Sequence, residues 1–338
     1  QLKSSISYVL MNVFAGSLFV ISIGYLYTIV GSLNMAYISQ TISSMSDRRG
    51  LYLVGAVMIF VFCMKGALFP LFTWMNRSYV APPIAVSIIF GALLTKVGLY
   101  SIIRTYGLFY YESNFIKSYL LILGAISIIA GCIGAIYQKD LKQIVVFNIV
   151  ISLGVMVCGT ATLNTFGVKG TLFYAVNDIL LKAALFIIVG LIIYVSGVKY
   201  IQKCGLINKY PLLGWTYFIV VLSLAGVPPF SGFYGKALII KGLVANNNTF
   251  IAILVALSGL VVFYSLIKIF LNVFYDNINK SLILKPLPKG VQIPLIAIVA
   301  IALIIGVSSN LLEGFFDKGI QMVLNPQHYI DLVLKKGA

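Results

Sequence analysis

The stretch GVKGTLFYAVNDILLKAALFIIVGLIIYVSG, residues Gly167–Gly197, sets the fold class of this 338-residue chain. It is almost wholly apolar and longer than the roughly 20 residues that an α-helix needs to cross a bilayer. It nevertheless contains Asp178 and Lys182, which are four residues apart and therefore project from one face of the helix. Because a charged side chain inside a span costs at least about 2.5 kcal/mol, the default interpretation of such residues is functional.

The composition extends this interpretation to the whole chain. Hydrophobic residues make up 61% of it and charged residues 9%, whereas soluble domains are about 25% charged. Apolar runs of about 18 residues or more predict about nine transmembrane helices, two of them broken, in an all-α polytopic membrane protein. The alternating pattern of a β-barrel is absent from the sequence. The predicted spans are Ser5–Gly31, Leu51–Met75, Ala85–Thr105, Phe115–Tyr137, Gln143–Leu163, Gly167–Gly197, Gly214–Val244, Thr249–Tyr275 and Ile293–Ser309.

The organisation along the chain is simple. Residues 1–310 are predicted to form the transmembrane domain, and residues 311–338 an amphipathic tail that ends in Lys335–Lys336. The chain starts at Gln1 rather than Met and shows no signal peptide, so we interpret it as N-terminally truncated.

We attribute the excess of basic residues to the orientation of the chain in the membrane, because basic residues are enriched in cytoplasmic connectors. The chain has 24 basic and 8 acidic residues, and the basic ones lie mostly in short connectors, without the basic stripe of a nucleic-acid-binding protein. Nine of them lie in connectors on the Gln1 side and five on the other, so the Gln1 side is predicted to be cytoplasmic. The first group is Arg77, Lys139, Lys142, Lys199, Lys203, Lys209, Lys280, Lys285 and Lys289, and the second is Arg48, Arg49, Arg104, Lys117 and Lys169.

The residues that build metal, haem or disulfide sites are too few and too scattered in this sequence. The one histidine, His328, lies near the polar C-terminus, and no C-x-x-C or Cys/His cluster occurs. We therefore expect no cofactor, no metal and no nucleic-acid partner. The cysteines are Cys63, Cys132, Cys158 and Cys204.

Four lysines within apolar spans are the candidate functional residues: Lys65, Lys96, Lys182 and Lys236. Burial disfavours the charged form of an amine, so such a lysine can load and release a proton under conditions where an ordinary lysine cannot. Asp178, the one acidic residue placed inside a span, would then be a switchable partner of Lys182. The alternatives are structural: a Lys65 ammonium bonded to freed carbonyls, a helix-packing Lys96, a local ion pair of Lys182 with Asp178, or an interfacial Lys236.

Other polar residues have supporting or peripheral roles. Asn177 is a predicted support of the relay, and together with Tyr174 and Asn148 it is expected to border water-filled polar stretches. Basic residues nearer the span ends are expected to reach the membrane surface by extending their side chains. These are Arg104, Lys241 and Lys268.

Prolines interrupt two of the spans. The segments are Lys65–Pro70 and Val227–Lys236, and each holds one of the lysines. Proline lacks a backbone donor, and carbonyls freed at membrane depth must face protein or water. Paired broken spans indicate a transport site. A five-span repeat is a further hypothesis, for which two alignments pair Lys268 with either Lys96 or Arg104.

These motifs resemble a known family. Lys65–Trp74 (KGALFPLFTW), Ala81–Pro83, Gly91–Gly98 (GALLTKVG) and Leu224–Lys236 (LAGVPPFSGFYGK) are similar to the antiporter-like subunits shared by respiratory complex I and Mrp-type cation/proton antiporters. Three further motifs look more like the D-type subunits of bacterial Mrp (Mnh) Na+/H+ antiporters than like complex I. They are Tyr8–Asn12, Gly31–Met35 and Asn325–Tyr329.

The resemblance implies a fourteen-helix fold with inverted five-helix repeats, of which this chain would supply helices 6 to 14. It implies that Lys65, Lys96, Lys182 and Lys236 are the lysines of helices 7, 8, 11 and 12, on a hydrated axis halfway across the membrane. The family's helix-5 glutamate would lie upstream of the chain, which leaves Lys65 without a visible partner. Asn177 replaces a family histidine and cannot titrate.

The predicted function is that of a proton-translocating subunit of a multisubunit Na+/H+ antiporter in the bacterial cytoplasmic membrane, partnered by the other Mrp subunits. It would be part of a secondary transporter rather than an enzyme. The alternatives are a proton-pumping subunit of complex I or of a membrane-bound hydrogenase, and a structural scaffold. Scarce intramembrane carboxylates argue against a Na+ site built by this chain alone, because hard cations favour oxygen ligands.

Overall fold

A computed structural model describes residues 2–45, 47–275 and 284–334. Gln1, Lys280 and Lys335–Lys336, which enter the orientation and tail predictions, lie outside the described residues. The described part folds into α-helices with short π-helical and 3-10 segments. The helices are α1 (Leu2–Val30), α2 (Met35–Ser44), α3 (Arg49–Gly66), α4 (Thr73–Ser78), α5 (Ile84–Ile89), α6 (Thr95–Phe109), α7 (Asn114–Tyr137), α8 (Leu141–Ala161), α9 (Thr165–Ser196), α10 (Pro211–Ala225), α11 (Ser231–Ala245), α12 (Thr249–Ile269), α13 (Lys289–Val307), α14 (Ser309–Leu324) and α15 (Pro326–Leu334).

The predicted all-α polytopic fold is confirmed. Within the described residues, 7 helical segments are long and apolar enough to cross a membrane. Two shorter apolar helices, Pro211–Ala225 and Gly290–Gly306, overlap the two remaining predicted spans. The seven segments are Ser4–Val30, Arg49–Gly66, Ile84–Phe109, Asn114–Tyr137, Leu141–Ala161, Thr165–Ser196 and Thr249–Tyr275.

Both predicted breaks are present. The predicted span Gly214–Val244 consists of two helices, α10 and α11, of 15 residues each. The predicted span Leu51–Met75 ends as a regular helix at Gly66, where Ala67 adopts a left-handed conformation with φ of 54°. The interruptions follow from the prolines, which cannot donate to the preceding turn.

The centre of the fold is α8, in which every residue from Ile144 to Ala161 is buried by protein. Helix α7 approaches α8 closely because a glycine on each helix faces the other. A Cβ added at Gly154 of α8 would lie 2.8 Å from the carbonyl oxygen of Gly124 on α7. Polar residues on α8 are therefore surrounded by protein rather than lipid.

Helix α2 was not predicted from the sequence. It is a 10-residue helix whose N-cap, Asn34, accepts hydrogen bonds from the Ala36 and Tyr37 amides. The Ser39 hydroxyl donates to the carbonyl of Leu108 at 2.9 Å, which fixes α2 against the end of α6. At 10 residues α2 is too short to cross a bilayer, and its serines and threonine lower the hydropathy by which spans are recognised in a sequence.

The C-terminal helices cover one end of the bundle. Phe316 and Ile320 on α14 pack against Val168 and Phe173 on α9. The guanidinium of Arg104, expected to reach the membrane surface, lies 4.1 Å from the ring centre of Tyr329 on α15. The division of the chain after residue 310 into domain and tail stays a prediction.

An ion pair joins two connectors. The guanidinium of Arg48, before α3, hydrogen-bonds the carboxylate of Glu112, after α6. This bond holds the pKa of Glu112 below its usual range. Because the Glu112 side chain is 50% exposed, the pair stabilises the fold by no more than about 1 kcal/mol.

Candidate functional site

Three of the predicted site residues meet in the interior. The Lys96 Nζ lies 2.6 Å from Asp178 Oδ2, and the Lys182 Nζ lies 4.0 Å from Asp178 Oδ1. The side chains of Asp178 and Lys182 are 0% exposed and that of Lys96 is 7% exposed. The i,i+4 pair of Asp178 and Lys182 is present as predicted, but Lys96 is the closer partner. One carboxylate thus faces two ammonium groups.

Local helix geometry brings Lys96 to Asp178. Residues Phe90–Leu94 form a π-helical segment immediately before α6, and such a bulge changes the direction in which the following side chains project. Gly91 in this segment packs against α9, since an added Cβ would lie only 2.2 Å from the Phe186 ring. A side chain at position 91 would therefore clash with the Phe186 ring.

The Lys236 side chain binds backbone carbonyls at the break between α10 and α11. Its Nζ donates to the carbonyls of Leu224 at 2.8 Å and Ala225 at 2.9 Å. In a continuous helix these carbonyls would accept from the amides four residues later, but those residues are Pro228 and Pro229, which have none. The lysine, which is 6% exposed, therefore replaces the missing donors.

An aromatic ring and a close helix contact complete the surroundings of Lys236. Its Nζ lies 5.5 Å from the ring centre of Tyr174 on α9, a distance at which a ring face attracts a cation. Gly235 packs against the backbone of Tyr174, with an added Cβ only 2.9 Å from its amide nitrogen. The Lys236 ammonium therefore lies inside the protein, between buried groups of α9, α10 and α11.

Lys65 stands apart from the other three lysines. It lies in the last turn of α3, is partly buried, and donates from Nζ to Asn12 Oδ1 on α1 at 2.5 Å. It also lines a cavity of about 430 Å³ bounded by α1, α3 and α6. A carboxylate partner was not predicted within the chain, and the described residues supply an amide.

Buried polar side chains surround the lysines. Asn177 accepts a hydrogen bond from Ser231 on α11 at 2.5 Å. Asn148 on α8 donates to Ser265 on α12 at 3.1 Å, and Tyr174 donates to Ser152 at 3.4 Å. Ser231, Ser152 and Ser265 were not singled out from the sequence, because isolated serines in apolar spans carry no distinctive pattern.

Several buried polar atoms around the cluster have no hydrogen-bond partner within the described part of the chain. Buried polar groups in proteins are nearly always bonded to protein or to ordered water. An interior that concentrates unpaired polar atoms around ammonium groups is therefore suited to holding water and moving protons. Among these atoms are Asn148 Oδ1, Asn177 Nδ2, Ser223 Oγ and Lys182 Nζ.

Comparison with known proteins adds an independent observation. Residues 1–261 match the family described as NADH:quinone oxidoreductase/Mrp antiporter, transmembrane. The D-type subunit of the Na(+)/H(+) antiporter of Bacillus subtilis (strain 168) is 38% identical over 99% of this chain and 69% of its own length.

Solved structures share the fold. A chain of the Mrp complex from Dietzia sp. DQ12-45-1b superposes with a TM-score of 0.91 at 22% identity, over 98% of this chain and 70% of that one. A chain of respiratory complex I from Thermus thermophilus with bound NADH superposes with a TM-score of 0.84 at 21% identity, over 97% and 69%. At these identities the likeness concerns the fold alone.

Proposed function

The chain belongs to the NADH:quinone oxidoreductase/Mrp antiporter transmembrane family, and on that premise we propose that it moves protons along its buried lysines as a subunit of a multisubunit Na+/H+ antiporter. It is a multi-pass membrane subunit whose relatives are the D-type subunits of Na+/H+ antiporters. Its proposed partners are the other subunits of such an assembly in a bacterial cell membrane.

The observation that carries the proposal is the sharing of one carboxylate by two ammonium groups. The Asp178 carboxylate lies 2.6 Å from the Lys96 Nζ, which is a hydrogen-bonding distance, and 4.0 Å from the Lys182 Nζ, which is an ion-pair distance. In a low-dielectric interior an ammonium without a counter-charge is strongly disfavoured. Moving the carboxylate from Lys96 towards Lys182 therefore favours proton release from Lys96 and proton uptake by Lys182.

Repetition of this step along the chain gives the proposed relay. A proton arriving at Lys65 passes by way of Lys96 and Lys182 towards Lys236, and each newly charged lysine disfavours the charged form of its neighbour. Lys236 receives the proton between two carbonyl acceptors, which stabilise its charge without a carboxylate. Buried amide and hydroxyl groups such as those of Asn177 and its hydrogen-bond partner are placed to hold connecting water.

The exchange of Na+ for protons is proposed to be a property of the assembled complex rather than of this chain alone. Asp178 is the carboxylate of the cluster, and its two neighbouring ammonium groups leave little affinity for a cation there. A redox-driven subunit of the complex I type has the same fold, but the higher sequence identity to the D-type antiporter subunits favours the antiporter.

The experiment compares two lysines of α11 in everted vesicles that carry the complete antiporter. Lys236→Met removes a buried ammonium, whereas the matched control Lys241→Met alters an exposed one that lies 3.8 Å from the Phe166 ring centre. We expect Na+-dependent proton flux to be lost in the first variant and retained in the second. Equal flux in both, with the complex assembled, would remove Lys236 from the path.

A further inference from the structure

We propose that the cleft between the first turns of α10 and α13 binds one anionic phospholipid, whose phosphate lies beside Lys209 and Lys285 and whose acyl chain lies on apolar side chains. The cleft is a cavity of about 170 Å³, lined by residues of both helices and of the connectors before them. The described residues that line it include none of the four relay lysines. The site therefore goes beyond the proposed proton path.

The cleft has a polar end and an apolar part, as a phospholipid has. Lys209 and Tyr210 precede α10 and lie at the end nearest the connectors. Farther along the two helices, where the chain enters the membrane, the lining is mostly leucine and isoleucine. The Thr216 hydroxyl in this part donates to the carbonyl of Leu212 at 2.7 Å, so it is already satisfied. The apolar lining residues are Leu212, Leu213, Leu295 and Ile296.

Two exposed lysines lie close together at the polar end. The Lys209 Nζ donates to the carbonyl of Leu284 at 3.3 Å, and the Tyr210 hydroxyl donates to the carbonyl of Lys285 at 2.8 Å. These bonds hold the segment that begins at Leu284 against the start of α10. Because an ammonium has three donors, Lys209 keeps donors for the oxygens of a phosphate.

Aromatic side chains place both lysines at the level of lipid headgroups. The Lys209 Nζ lies 5.8 Å from the ring centre of Tyr210, and the Lys285 Nζ lies 5.8 Å from that of Tyr194 at the end of α9. Tyr194 and Trp215 are exposed on the outer surface of the bundle. Tyrosine and tryptophan are enriched where the membrane meets water, so the leucines beyond them lie at the depth of acyl chains.

Charge and shape together select an anionic lipid. Within the described chain, the connector residues 197–210 and 284–288 contain four lysines and no acidic residue. They lie at the predicted cytoplasmic end, where anionic lipids give the leaflet a negative surface potential. A soluble phosphate would leave the apolar part of the cleft unfilled, whereas a phospholipid fills both parts. The four lysines are Lys199, Lys203, Lys209 and Lys285.

The test counts the lipids that stay on the complete complex. The complex is reconstituted in vesicles of equal phosphatidylglycerol and phosphatidylcholine, extracted in mild detergent and weighed by native mass spectrometry. Lys209→Gln/Lys285→Gln should hold one phosphatidylglycerol fewer per copy of this chain than wild type, with occupancy reduced at least about tenfold. The control Lys139→Gln/Lys199→Gln removes two exposed charges from the same end and should keep the wild-type count. Equal counts in the two double variants would overturn the proposal.

A second variant fills the cleft without changing its charge. Gln292 is partly exposed and lines the cleft, and tryptophan is a common residue at the membrane interface. Gln292→Trp should therefore lose the same phosphatidylglycerol. Retention of the lipid in this variant would place it on the connector surface and refute the site.

A soluble phosphate is the competing occupant. Wild-type complex from vesicles of phosphatidylcholine alone, incubated with glycerol phosphate, should not retain this anion in the mass spectrum. If it does, and Lys209→Gln/Lys285→Gln does not, the cleft is a site for a soluble phosphate and the lipid proposal fails. Because the readout is bound lipid rather than proton flux, this result and that for the relay are separate.

Discussion

Replacing Asp178 with asparagine tests the shared carboxylate. At an effective dielectric constant of about 20, the carboxylate attracts Lys96 at 2.6 Å by about 6 kcal/mol and Lys182 at 4.0 Å by about 4 kcal/mol. Desolvation opposes these attractions, and removal of one partner from a buried pair costs about 3–5 kcal/mol net. Without the carboxylate, two ammonium groups would face each other in the interior.

The expected result of Asp178→Asn is loss of transport without loss of the complex. One of the two lysines becomes neutral, and the alternation between them stops because neither has a counter-charge to exchange. We expect Na+-dependent proton flux to fall by at least about 100-fold, equivalent to about 2.7 kcal/mol in the barrier. The assay is quenching of a pH-sensitive dye in everted vesicles, with assembly measured by co-purification of the other subunits.

The matched control is Asp317→Asn. Asp317 also faces a lysine, Lys169 at 3.4 Å, but its side chain is 51% exposed. Loss of a surface ion pair costs at most about 1 kcal/mol, so flux should stay within about twofold of wild type. If assembled Asp178→Asn retained half of the wild-type flux, the reasoning about the shared carboxylate would be refuted.

Three further predictions concern the break, the helix contact and the connector pair. Replacing both prolines of Pro228–Pro229 with alanine supplies amides that compete with Lys236 for the freed carbonyls; antiport should fall by at least about tenfold, while alanine at Pro294 in α13 leaves it unchanged. Gly91→Val should destabilise the protein by about 1–3 kcal/mol in thermal unfolding, and trimming Phe186 to leucine should restore part of this loss; no change in either variant contradicts the close contact. Because the pKa of Glu112 is lowered in the fold, its contribution to stability is present above its unfolded pKa and is lost as pH falls through the folded one. Glu112→Gln should therefore lower the melting temperature at pH 7 by more than at pH 3, and an equal effect at both would exclude the ion pair.

The architecture was predictable because it depends on local features of the sequence. Long apolar runs determine the spans, and prolines determine the breaks at Pro70 and Pro228–Pro229. The pairing of Asp178 with Lys182 follows from helix periodicity alone. The two carbonyls that Lys236 binds could also have been identified from the sequence, because the two prolines follow Leu224 and Ala225 by four positions each.

Long-range contacts were not predictable. The closest approach of a lysine to Asp178 involves Lys96 from another helix, and it depends on the π-helical segment and on the packing of Gly91 against α9. The contact of Lys65 with Asn12 likewise depends on how α1 lies against α3. A sequence reports which polar residues enter the membrane, but the relative placement of helices decides which of them meet.

The central claim is that protons cross the membrane by way of lysines of this chain. Replacing Lys182 tests this claim most directly, because its side chain is 0% exposed and it faces the Asp178 carboxylate, which it shares with Lys96. The decisive measurement is Na+-dependent proton flux in everted vesicles with the complete complex, comparing wild type with Lys182→Met. We predict flux in wild type and none in the variant, with all subunits assembled. Undiminished flux in the variant would contradict the relay and assign the proton path to another member of the complex.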